Sequence, residues 1–224
     1  NHLKIDNLSP ASDALVLVCD EPLPLEQLEA EADGWDLRAV EGITASARRR
    51  ERLMWRRIVR EATCQQVEVE CTPSGAPRIK NFPFEHISVS HCRDVVAVVA
   101  SHRECGVDVE RKDRNFERVA SRYISDQEWA LCRERGCERG VFLETVWCAK
   151  ECMYKAAQCE SVSLKDDITV FLDQILQLQA NGSLFFALNQ GGIHMIGAGF
   201  QRGAYSGDIH AVAGGDVVAG NVIH

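Results

Sequence analysis

The chain has 224 residues, 46% hydrophobic and 26% charged, enough for one large or two small globular domains with a real core. Its net charge of −8 argues against nucleic acid as a partner, and it has no run of about 18 apolar residues to span a membrane. The first ten residues hold no apolar signal core, so a cytoplasmic location is expected. The ten cysteines form no C-x-x-C pair, and Cys148 and Cys152, at i, i+4, lack a partner set for zinc. They are read as reduced and mostly buried.

In chain order, residues 14–19 (ALVLVC) form a short apolar run that predicts a strand. Residues 25–32 predict a short helix. Residues 45–62 predict a long basic helix with Leu53, Met54, Ile58 and Val59 on its buried side. That helix carries Arg48, Arg49, Arg50, Arg52, Arg56, Arg57 and Arg60, either a solvated face or a surface that grips an anion. Residues 66–72 alternate as a strand, and 73–77 (PSGAP) read as a turn.

Strands are predicted next at 87–90, at 95–100 (VVAVVA, a continuous buried run) and at 105–110 (CGVDVE). Ser125, followed three residues later by Glu128, has the spacing of a capping box and should start a helix. A second long helix is predicted over 141–158. Strands should then follow at 168–172, 175–178, 183–188, 193–200 and 209–212. Each half, 1–103 and 104–224, thus reads as strands plus one long helix. This is an α+β arrangement with segregated helices rather than a βαβ array.

Three motifs bear on chemistry. In Gly106-Val-Asp-Val-Glu110, strand alternation turns Asp108 and Glu110 to one side and Val107 and Val109 to a core. Paired carboxylates repel unless a cation or proton lies between them, and an oxygen-only set suits magnesium with phosphate oxygens as further ligands. An exposed strand face also shows such alternation. In Trp147-Cys-Ala-Lys-Glu-Cys-Met-Tyr-Lys155, residues Trp147, Glu151 and Lys155 share a broad helix face flanked by Lys150. This is either an ordinary amphipathic surface or a site for metal and pyrophosphate. In Ile87-Ser-Val-Ser-His91, Ser88 and Ser90 share a face, with His91 at the strand end as a possible phosphate cradle.

In this order, S-x-S-H, then G-V-D-V-E, then W-x-x-K-E-x-x-x-K, the sequence resembles the 4′-phosphopantetheinyl transferase superfamily. The nearest likeness is to its larger, monomeric, surfactin-synthetase-type branch, and the resemblance is strongest over residues 73–156. It implies two similar halves related by a pseudo-two-fold axis, each a small antiparallel sheet packed with a long helix. Coenzyme A and Mg2+ would lie in the cleft between them. It further implies transfer of phosphopantetheine from coenzyme A to a serine of an apo acyl or peptidyl carrier protein.

By motif match, Asp108, Glu110 and Glu151 are the implied metal ligands, and Glu151, Lys155 and Asp108 the catalytic residues. Ser90, His91, Lys150 and Lys155 are implied contacts of coenzyme A. Arg50, with Arg49 second, is the implied partner of the nucleotide phosphate. The family's loop lysine is Ala76 here, which leaves Arg78 as the nearby substitute charge. A metal-dependent phosphohydrolase would share D-x-E but would not require the second signature. A non-catalytic relative would bear the repulsion of three carboxylates without compensation.

Overall fold

The computed structural model describes residues 3–7, 14–20, 22–66, 68–71, 77–93, 95–102, 105–111, 114–157 and 161–170. It also describes the backbone of 185–189, 193–199 and 209–210. Among these residues the chain is α+β, with antiparallel sheets apart from one short parallel pair. The strand expected at 175–178 and the turn through Ala76 lie outside the described residues.

The first sheet is built from β1 (Ile5–Asn7), β2 (Ala14–Cys19), β3 (Val69–Cys71), β4 (Pro77–Ile79), β5 (His86–Cys92) and β6 (Val95–Ser101). Their spatial order is β1-β2-β6-β5-β4-β3. Helices α1 (Leu25–Ala30), α2 (Gly34–Ala39) and α3 (Ser46–Thr63) fall between β2 and β3. The later part contains β7 (Cys105–Arg111), a 3-10 turn over Phe116–Arg122, α4 (Asp126–Glu134) and α5 (Arg139–Ala157). It continues with β8 (Ile168–Thr169), β9 (Phe185–Asn189), β10 (Ile193–Gly199) and β11 (Ile209–His210). The order β7-β10-β9 makes a second sheet, and β8 pairs with β11 in parallel.

The VVAVVA run is buried throughout because β6 is covered on both faces. Val96, Val98 and Ala100 join Leu17, Leu53, Met54, Ile58 and Val59 in a core beneath α3. Val95, Ala97 and Val99 turn the other way and meet Val107 and Val109 of β7, with Val16 and Val18 beside them. Each buried valine contributes about 1.5–3 kcal/mol. The strand therefore joins the β7 side of the molecule to the α3 side largely through the hydrophobic effect. A third core gathers Phe116, Tyr123, Phe142, Leu143, Val146 and Ile168 around α5.

Helix α3 buries its expected apolar residues and also Trp55 and Arg56. Arg56 is 2% exposed, and its Nε donates to Asp36 Oδ1 at 2.8 Å. Asp36 lies on α2, a six-residue helix whose Gly and Trp start gives no clear periodic signal. The α4 capping box forms as read: Glu128 N donates to Ser125 Oγ at 3.2 Å, and Ser125 N donates back to Glu128 Oε2 at 2.8 Å. Among the described cysteines all are free thiols, five of them buried.

Candidate active site

The site grows from one edge of β7. Its other edge is paired with β10, with Asp108 opposite Ile196. The N–H groups of Val107 and Val109 point away from β10 into the protein and need acceptors there. They find them in two side chains: Val107 N donates to Ser88 Oγ at 3.1 Å and Val109 N to Ser90 Oγ at 3.2 Å. Alternation on β5 turns Ile87 into the α3 core and both serines to the β7 side. A hydroxyl every second residue thus meets an N–H every second residue.

Ser90 Oγ also donates to Asp108 Oδ1 at 3.0 Å. Lys155, from α5, reaches the same point. Its Nζ donates to Val107 O at 2.8 Å, Asp108 Oδ1 at 2.9 Å and Ser90 Oγ at 3.2 Å, using all three ammonium protons. Asp108 is 4% exposed, and its second oxygen, Oδ2, is buried with no hydrogen-bond partner. A carboxylate oxygen out of water and without a donor is costly, so this atom is the outstanding polar demand of the site.

Helix α5 comes this close because residue 106 is glycine. A Cβ there would lie 1.9 Å from the Cys152 carbonyl oxygen. At the adjacent position, the Glu151 carboxyl is pushed above its ordinary range, first by burial and then by the Asp108 charge. Lys155 and Arg114 pull the other way. Cys148 and Cys152 lie beside Asp108; burial, and then the Asp108 charge, raises both thiols well above their ordinary range and keeps them protonated.

Glu110, two residues beyond Asp108, has different company. Trp147 Nε1 donates to its Oε1 at 3.0 Å, and Arg114 forms an ion pair with the same oxygen. The Arg114 guanidinium lies over the Trp147 ring, 4.3 Å from its centroid, and over Phe116 at 5.1 Å. Arg114 was invisible as a site residue in the sequence. Its only sequence signal is the four-residue spacing from Glu110, which means nothing outside a helix.

The three acids therefore share a neighbourhood without closing on one point. Among the described residues, no three His, Cys, Asp or Glu side chains are gathered closely enough to hold a metal ion. Glu110 pairs with Arg114, and Asp108 pairs with Lys155.

Other expected residues stand elsewhere. Lys150 lies in the core: it is 0% exposed, and its Nζ donates to Tyr123 O at 2.6 Å and Glu128 Oε2 at 2.8 Å. Burial lowers its pKa, and Glu128 opposes that shift. Arg49 donates to Val40 O, Ile43 O and Glu29. Arg50 spends Nε and Nη2 on the carbonyls of Leu23 and Pro22. Both fasten α3 to the first half's own loops. His91, at the exposed end of β5, places Nε2 3.1 Å from Glu51 Oε1 of α3. Arg78 is exposed on β4.

Residues 104–195 match the family model of the 4′-phosphopantetheinyl transferase superfamily. That superfamily consists of transferases that act on carrier proteins with coenzyme A. No curated protein matches the chain. The matched stretch begins just before β7 and takes in α5, so it contains Asp108, Glu110, Glu151 and Lys155.

Proposed function

We propose that this chain is a phosphopantetheinyl transferase of the larger, monomeric type, working in the cytoplasm. It would move the 4′-phosphopantetheine of coenzyme A to a serine of an apo acyl or peptidyl carrier protein and release adenosine 3′,5′-bisphosphate. The observation that carries this reading is Asp108: one oxygen is fixed by Lys155 and Ser90, and the other is buried and unpartnered beside a carboxyl whose anion it disfavours. The family match over the same residues supports it. The seam between 1–103 and 104–224 is proposed as the cleft, supported by Ser90 and Lys155 meeting across it.

The donor chemistry fits Mg2+, a hard ion that takes carboxylate oxygens and keeps other positions for water and phosphate. Asp108 through Oδ2, with Glu151 and Glu110, would hold it. When bound, it would supply charge neutralisation at the pyrophosphate. Glu151 takes the proton from the carrier serine as that oxygen attacks phosphorus; burial and Asp108 raise the proton affinity of its carboxylate. Lys155, a quarter exposed, meets the charge that develops on the departing bisphosphate. Glu110 is kept in place by Trp147 and Arg114. Most of the rate then derives from charge placement and alignment, as in other phosphoryl transfers.

The test is intact-mass analysis of several apo carrier proteins incubated with the chain, coenzyme A and Mg2+. A carrier that gains the mass of one phosphopantetheine is the expected result. Cleavage of coenzyme A with no carrier gaining mass would overturn the transferase in favour of a phosphohydrolase.

A further inference from the structure

We propose that Ser90 is a positioning residue: its hydroxyl holds Asp108 and Lys155 in the arrangement that leaves Asp108 Oδ2 without a protein partner, and it does not contact the substrate. The kinetic arm of its test rests on the transferase reading; the stability arm does not.

Ser88 and Ser90 form a natural matched pair. Both are 6% exposed, both sit on the same face of β5, and both accept one N–H from the edge of β7. A hydroxyl offers one donor and two acceptor lone pairs. Ser90 uses all three, donating to Asp108 Oδ1 and accepting from Val109 N and Lys155 Nζ. All three of these partners are protein groups. Ser88 makes the same strand contact but does not reach the Asp108–Lys155 pair.

The consequence for Asp108 is orientational. A carboxylate bonded to a single lysine can turn about its last torsion and offer either oxygen, or both. Here two donors from opposite halves of the chain converge on Oδ1. The plane is then fixed, and Oδ2 is kept apart from Lys155. Removing the Ser90 hydroxyl would strip one donor from Oδ1, one acceptor from Lys155 and the only described acceptor from Val109 N. Groups that orient a charged first contact typically change activity or ion affinity by about 10- to 100-fold when lost.

The experiment compares Ser90→Ala, Ser88→Ala and Ser90→Thr in the full chain. Expected is a fall in kcat of about 10- to 100-fold for Ser90→Ala, with KM for coenzyme A little changed. Ser88→Ala should keep wild-type kcat, and Ser90→Thr should recover part of the loss. A raised KM for coenzyme A with kcat intact in Ser90→Ala would overturn the proposal, because it would mean direct substrate contact. So would equal kinetic behaviour of the two alanine variants, which would mean a purely structural role.

The second arm is a double-mutant cycle on the urea midpoint, pairing each serine variant with Lys155→Met. Non-additive losses for Ser90→Ala with Lys155→Met, and additive ones for Ser88→Ala with Lys155→Met, support the proposal even in a chain that transfers nothing. Additive losses in both pairs overturn it. If the wild-type chain shows no transfer while the Ser90 cycle couples, the transferase reading alone fails.

Discussion

Helix α5 supplies two ammonium groups, and each meets a carboxylate from another element. On the α4 side, Lys150 and Glu128 are 0% and 1% exposed at their side chains. Every oxygen there is served: Glu128 Oε2 accepts from Ser125 N and Lys150 Nζ, and Oε1 accepts from Val170 N at 2.9 Å. On the β7 side, Lys155 and Asp108 are 26% and 6% exposed, and one carboxylate oxygen has no donor. The first pair is closed and ties three segments together. The second is left incomplete, at a place where solvent reaches the lysine. Two residues of one type, five positions apart, thus differ in how fully their partners are satisfied, and the proposed site lies at the less satisfied one.

The sharpest way to break that comparison is Asp108→Asn. The amide keeps the shape of the side chain and removes the charge. Transfer to a carrier should fall about 100-fold or more, while the far-ultraviolet circular dichroism stays native. Retained turnover in magnesium buffer would remove Asp108 from the chemistry.

The opposite pole should fail by the opposite criterion. Lys150→Met leaves Glu128 charged in the core without its cation. Urea unfolding should show a loss of about 3–5 kcal/mol. Any residual folded protein should turn over near the wild-type rate. A stable Lys150→Met variant that cannot transfer would mean that Lys150 works at the site after all.

Gly106→Ala tests what holds the two poles to one helix. The new methyl would sit 1.9 Å from the Cys152 carbonyl oxygen, so α5 must move away from β7. A loss of about 1–3 kcal/mol is expected from overpacking of this kind, with a fall in kcat because Lys155 rides on the displaced segment. Wild-type kcat in this variant would show that the register of α5 on β7 is not what places Lys155.

Much of this was legible in the sequence, wherever the cause is local. Periodicity exposed the buried side of α3, the VVAVVA strand and the strand that carries Asp108 and Glu110. Spacing exposed the Ser125–Glu128 box. What the sequence hid depends on partners distant in the chain. Lys150 looked like a flank of the signature face because nothing nearby says that Glu128 waits on another helix. Arg49 and Arg50 looked free because backbone carbonyls leave no trace in a residue pattern. Strand β4 and helix α2, three and six residues long, are too short for periodicity to show. Ser90 was implied as a coenzyme A contact by the family resemblance. The hydrogen bonds that saturate it come from residues 108, 109 and 155.

The smallest effect, and the one that most sharpens the contrast, concerns Glu151. Its carboxyl is raised above the ordinary value of 4.5 because burial and Asp108 both disfavour the anion. A carboxyl raised on folding favours the folded state while it is protonated. That contribution is present below the ordinary range and is lost as pH rises through the raised value. At neutral pH in chelator-treated buffer, ionised Glu151 is therefore a cost to the fold. Glu151→Gln removes the charge and keeps the shape. Its melting temperature should exceed that of the wild type at neutral pH, and the advantage should shrink to nothing below pH 4.5. Adding Mg2+ should stabilise the wild type more than the variant, since binding to the folded state alone raises stability. If the wild type is the more stable protein at neutral pH without metal, the pull of Lys155 and Arg114 exceeds the push of Asp108. The β7 pole would then be as satisfied as the Glu128 pole, and the asymmetry from which its chemistry was inferred would be gone.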